Sequence, residues 1–215
     1  MKKIFYLSSL LLFTFCTAQN QVIELYGNQP FGTVNNAYYK DVNGFLNQYV
    51  GTWLYTNGNT SLKIIFQKRE HKYMPGTISY YTDLLVGEYQ FIENGIEKVN
   101  TLNQINTDFG SNVIDMRKYN LLEKGCLYHA NYKPKCNECA QHEKRLEMRL
   151  SEPIFSNISG LSNSFVIRSY EDGGVNKLKV WFYSQIQVQP EDENGNPFNF
   201  TSFSLPFGEY ILIKQ

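Results

Sequence analysis

The stretch Asn47-Gln48-Tyr49-Val50-Gly51-Thr52-Trp53-Leu54-Tyr55 decides the fold. It is a Gly-x-Trp leading into a strand. Gly51 lets the backbone approach a neighbour closely as the strand begins. Trp53 is a large apolar plug whose single N–H needs a partner, and it is expected to lie buried at one end of the β structure. The period-2 rule puts Trp53 and Tyr55 on one face. Asn57-Gly58 then gives a two-residue hairpin signal. Upstream, Val42, Phe45, Leu46 and Tyr49 recur at helical spacing. They predict a short helix within Lys40–Val50 that caps one end of whatever the strands build.

Downstream the pattern is a succession of strands and turns. In Thr60–Glu70, Leu62, Ile64 and Phe66 alternate with Lys63, Ile65 and Gln67, the signature of a half-buried strand. Arg69-Glu70-His71-Lys72 reads as a charged turn with a solvated histidine. Strands are expected at Thr77–Thr82, Leu84–Phe91 and Ile96–Leu102, the last two joined at Glu93-Asn94-Gly95. Asn103–Arg117 loses the alternation and reads as loop with a helical turn. Tyr119–Tyr128 and Lys144–Leu150 resume it. Ser164–Tyr170 and Lys177–Val188 flank Asp172-Gly173-Gly174, and Phe198–Leu205 and Gly208–Lys214 finish the chain. A short strand at Val22–Tyr26 precedes the series. Eight to ten strands with turn signals between them predict an all-β, antiparallel meander closing into a barrel. Tyr55, Leu62, Ile64, Phe66, Leu178, Val180 and Phe182 fall on one side of that sheet.

The 215 residues suit one β domain, and 42% hydrophobic with 15% aromatic side chains is ample for a core. Residues 1–18 read as a secretory leader. Lys2 and Lys3 precede the mostly apolar Ile4–Phe15, which is too short to span a bilayer. Cys16-Thr17-Ala18 supplies small residues for cleavage after Ala18, leaving a single domain over 19–215, periplasmic or extracellular. The alternative is an outer-membrane lipoprotein acylated at Cys16, which Phe15 disfavours. No later apolar run approaches membrane-spanning length. Formal charge is zero, and removing Lys2 and Lys3 makes it slightly acidic. No basic surplus points to nucleic acid.

Helix, Gly-x-Trp and meander together resemble the opening of lipocalin-like and avidin-like barrels. Tyr49-Val50-Gly51-Thr52-Trp53, the Asn94-Gly95 hairpin and the ending Pro206-Phe207-Gly208-Glu209-Tyr210-Ile211-Leu212-Ile213-Lys214-Gln215 look like a group of uncharacterised exported proteins of Bacteroidetes-type bacteria, a domain of unknown function. That resemblance implies a lipocalin-like β architecture and carries no functional residue over.

One cluster is chemically loaded. Cys126, His129, Cys136, Cys139 and His142 fall within 17 residues. In an exported protein the first reading is a disulfide, with Cys126 bridged to Cys136 or Cys139 around Leu127–Lys135 and one cysteine left over. The alternative is a zinc site, since thiolate and imidazole are preferred zinc ligands. Other catalytic patterns are missing: there is no Gly-rich phosphate loop, nucleophile elbow or His-Glu-x-x-His. The sequence therefore leaves three functions open. The first is a barrel binding a small apolar ligand through Trp53, Tyr55, Phe66 and Phe182. The second is a packed structural or surface-interaction domain. The third, least supported, is a metal-dependent hydrolase at the Cys/His cluster.

Overall fold

Cross-strand pairing turns this sequence into a closed barrel. The computed structural model describes residues 20–155, 158, 161, 163–184, 191–198 and 202–215. The leader, the end of the expected Lys177–Val188 strand and part of the expected Phe198–Leu205 strand lie outside these residues. The strands are β1 (Val22–Glu24), β2 (Tyr38–Lys40), β3 (Gly51–Asn57), β4 (Thr60–Met74), β5 (Tyr80–Glu93), β6 (Ile96–Asn100), β7 (Leu121–Leu127), β8 (Arg145–Leu150), β9 (Asn163–Asp172), β10 (Val175–Ser184) and β11 (Gly208–Lys214). Eight form an antiparallel ring in the order β5-β4-β3-β11-β10-β9-β8-β7, closed where Val86 and Gly87 of β5 meet Leu122 and Leu121 of β7. β6 extends β5 beyond this seam. On the other side of the seam β2 pairs with β5 in parallel, and β1 with β2.

The alternation expected of β4 and β10 holds: Leu62, Ile64, Phe66, Leu178, Val180 and Phe182 are all buried in one core. An eight-strand barrel has an interior just wide enough for side chains to fill. Here rings fill much of it. Phe66, Tyr89, Phe91, Phe165 and Phe182 are among the largest fully buried side chains. Phe66 lies across from Gly87, where any Cβ would stand 2.6 Å from its ring. Glycine is therefore required there by the neighbour's volume and not by backbone conformation.

Trp53 is fully buried and donates its indole N–H to the Tyr49 carbonyl at 2.7 Å. The 45–48 segment that presents this carbonyl is a single 3₁₀ turn, Phe45–Gln48, and not the longer helix expected within Lys40–Val50. Gly44 in the left-handed conformation starts it, and Asp41 accepts from Leu46 N at its beginning. Leu46 and the following Tyr49 are buried and Phe45 is half-buried, whereas Val42 is exposed, so the apolar spacing that would extend the helix is not used for packing.

Three other expectations change. Arg69-Glu70-His71-Lys72 is not a turn but a bulge inside the 15-residue β4. His71 takes a positive φ of 52°, and Asp83 accepts its N–H at 3.0 Å. That local compensation lets β4 and β5 run on, so Tyr80–Thr82 of the expected Thr77–Thr82 strand merges with Leu84–Phe91 into β5, while residues 77–79 carry no strand. Residues 202–207 carry no strand. Phe203 and Leu205 instead turn inward and plug the second end of the barrel. β1 and β2 add parallel pairing to an otherwise antiparallel sheet.

Candidate functional site

The first candidate is the barrel interior. Trp53 is tied to Tyr49, and Phe66 is seated over Gly87. Phe182 stacks at 4.8–5.8 Å among Phe165, Phe203 and Phe207. Tyr55, half-buried, meets Tyr210 edge-on at 5.2 Å. The four residues thus belong to one packed core, each in contact with its neighbours.

The second candidate is the Cys/His loop. Cys136 and Cys139 are joined to each other and Cys126 keeps its thiol, so the expected Cys126 bridge is not formed. Pleating is the reason. Cys126 sits opposite Leu146 on β8 and faces the barrel interior, whereas Cys136 packs outside the barrel on Val166 and Trp181. The sheet itself separates them. Burial pushes the Cys126 thiol up to about 12, so it is protonated at neutral pH and a poor nucleophile. His129 and His142 meet edge-on at 5.5 Å. No three of His, Cys, Asp and Glu converge as a metal-holding group among the described residues.

What organises this loop is Arg145. It is fully buried, lies 5.6 Å from the Trp181 ring centre, and donates to the carbonyls of His129, Tyr132 and Pro134. A guanidinium offers five donors in a fixed fork, enough to hold an otherwise irregular segment. The loop thereby covers Trp181, whose alternation alone would leave it on the outer face.

The third candidate is a cleft at the rim, where β8 ends. It encloses about 520 Å³ and is lined by Gln104, residues 117–120, residues 149–153, Phe155, Asn163 and Phe203. One wall is cationic, with Arg117, Lys118 and Arg149. The facing wall is apolar, with Phe155 edge-on to Phe203 at 5.7 Å. The polar floor is already satisfied. Asn163 donates to the Leu150 carbonyl and accepts from its N–H, at 2.7 and 2.9 Å. Asn120 donates to Glu88, and Glu152 accepts from the Ser204 N–H and hydroxyl and from Leu205 N. Burial raises both carboxyl groups, and these donors oppose the rise.

Arg149 has no such satisfaction. Its one side-chain hydrogen bond among the described residues is to the Arg117 carbonyl at 3.4 Å. Burial, and then the like charge of Arg117, hold its guanidinium below the ordinary arginine value. Neither Arg117 nor Arg149 forms an ion pair among the described residues, and these include every Asp and Glu of the chain. The other three arginines have stronger partners: Arg69 has Ile105 O and Tyr119, Arg145 has three carbonyls although its Nε is left without one, and Arg168 has Glu143. Sequence reading passed over the cleft because its walls come from four separate segments. The usable signal was in Arg145-Leu146-Glu147-Met148-Arg149-Leu150, where alternation places both arginines on the outer face.

Fold and cleft together define a packed antiparallel β-barrel with its open volume at the rim. The chain belongs to the family described as a family of unknown function (DUF6705), whose model matches residues 1–215. No curated protein and no solved structure matches it.

Proposed function

We propose that this protein is an exported binding module that takes a small molecule at the barrel rim and not in the barrel interior. The observation that carries this reading is the cleft of about 520 Å³ beside an interior occupied by aromatic rings. Ligand sites are typically about 300–1,000 Å³, mainly apolar, with a few polar groups for orientation. Phe155 and Phe203 supply the apolar wall and the 117–118 and 149 side chains the polar one. Binding is favoured over catalysis because Asn120, Glu152 and Asn163, the groups best placed for chemistry, are engaged in holding the backbone. Export rests on the charged and apolar leader of residues 1–18.

The test is a neutral fluorescent probe, N-phenyl-1-naphthylamine, titrated into folded protein. Binding should be saturable, at one site per chain. It should be lost when the cleft is plugged by Ser151→Trp or, from the opposite wall, Gln104→Trp, and kept in Phe182→Leu. Retention in both folded plug variants with loss in Phe182→Leu would return the site to the interior.

A further inference from the structure

We propose that the rim cleft selects an amphipathic anion, a small molecule with one acidic group on an aromatic or aliphatic body, and that Arg117 and Arg149 bind the acidic group. This inference rests on the cleft being a ligand site and adds the chemical class of the ligand.

The argument begins with what a half-buried guanidinium needs. Removing a charge from water is costly unless it is paired and hydrogen-bonded. Arg149 is half-buried on the outer face of β8, yet it has only a carbonyl for a partner, at the long limit of a hydrogen bond. The charge that acts on it is another arginine, Arg117. Arg117 is exposed, so water screens part of the repulsion between the two like charges, and an anion between them would replace it with attraction. No carboxylate of the chain is available to supply it, because all are among the described residues and none pairs with either arginine. Glu152, the one carboxylate lining the cleft, is turned to Ser204 and Leu205. A counter-charge for the pair would therefore come from outside the chain. Guanidinium groups match carboxylate, sulfonate or phosphate oxygens in bidentate fashion.

The opposite wall sets the rest of the ligand. Phe155 and Phe203 stand edge to face, and Phe203 continues inward to Phe182 at 5.6 Å. Phe203 is buried and Phe155 half-buried, so what the wall offers a ligand is mainly the Phe155 ring edge, which an amphipathic anion would cover and a simple inorganic anion would not. Lys118 lines the cleft too, but its ammonium lies 5.8 Å from the Phe109 ring centre. It contributes to the field and is not required as a direct ligand.

Two dyes of nearly the same shape separate the claims. 8-Anilinonaphthalene-1-sulfonate carries a sulfonate that N-phenyl-1-naphthylamine lacks. With folded protein at neutral pH, the sulfonate dye should bind about tenfold more tightly or better, as expected for charge-assisted hydrogen bonds. Arg149→Gln and Arg117→Gln should each remove on the order of tenfold of the sulfonate dye's affinity and leave the neutral dye unchanged. Arg149→Lys, which keeps charge but loses the bidentate fork, should fall between. Raised salt should weaken only the sulfonate dye. Circular dichroism of each variant establishes that it is folded. Equal affinities for both dyes, both lost on plugging the cleft, would overturn the anion inference and leave the cleft site standing. Binding of neither dye, or binding untouched by the plugs, would overturn both.

Discussion

A methyl group added at Gly87 tests whether the barrel interior is truly filled. Built on the backbone, the new Cβ lies 2.6 and 2.8 Å from two carbons of the Phe66 ring and 3.2 Å from the Ile65 carbonyl oxygen. Carbon atoms are comfortable at about 3.5–4.0 Å, so the overlap with the ring is close to 1 Å. Phe66 is fully buried and cannot swing into water. Overpacking of this kind costs about 1–3 kcal/mol. Against it stands a gain of about 0.4–1 kcal/mol from the stiffer unfolded chain. Gly87→Ala should therefore lose about 1–2 kcal/mol, a fall in Tm of roughly 2–8 °C for a chain of this size. Phe66→Leu alone should also destabilise, by deleting buried carbon. In the double variant the smaller side chain makes room for the methyl group. The two losses should fall short of additive by about 1 kcal/mol, the scale of coupling between touching residues. Urea unfolding followed by tryptophan fluorescence measures all four proteins. Gly87→Ala that is neutral, and additive with Phe66→Leu, would mean that the ring has empty space to retreat into, and the filled interior would be refuted.

Two further outcomes are expected. Burial outweighs the hydrogen bonds from Tyr26 and Leu85 and raises Glu123 to about 7, against about 4.3 in an unfolded chain. The folded state therefore favours the protonated form. Its stabilisation is complete below about pH 4.3, declines as pH rises, and is gone above about 7. Measured against Glu123→Gln, the wild type should lose on the order of 1–2 kcal/mol across that window, less than the full linkage value because the side chain retains some solvent. A difference that is flat with pH, or of opposite slope, would remove the buried-acid account. Peptide mapping without reduction should find Cys136 linked to Cys139 and Cys126 alkylated only after unfolding, whereas a Cys126–Cys136 or Cys126–Cys139 peptide would contradict the separation of these residues by the sheet.

The barrel was legible because its strands alternate and its turns carry Asn-Gly, Asp-Gly and Gly-Gly. Leu62, Ile64 and Phe66 against Lys63, Ile65 and Gln67 is a local pattern, and the interior follows from it. Three features were not local. The bulge at Glu70-His71 depends on Asp83, a residue of the neighbouring strand, so its charges read as a turn. The Cys136–Cys139 pairing depends on which face of β7 carries Cys126, and the irregular pairing between Glu123 and Gly125 shifts that register. Trp181 alternates outward and is nevertheless 5% exposed, because Arg145 gathers a distant loop over it. The rim cleft was the least legible. Arg117, Arg149 and Phe203 are far apart in sequence, and each alone looks like an ordinary surface or core residue. Only their assembly shows two arginines without a counter-charge.

The most direct measurement is an amide and aromatic NMR titration of the folded protein with 8-anilinonaphthalene-1-sulfonate. The account predicts that shifts concentrate at the cleft: the 117–120 amides, Arg149 to Ser151, Asn163 and the Phe203 ring. The Trp53 indole N–H, bonded to Tyr49, and the Phe66 ring should stay in place. Large shifts at Trp53 and Phe66 with none at Arg117 or Arg149 would place the ligand inside the barrel and contradict the account.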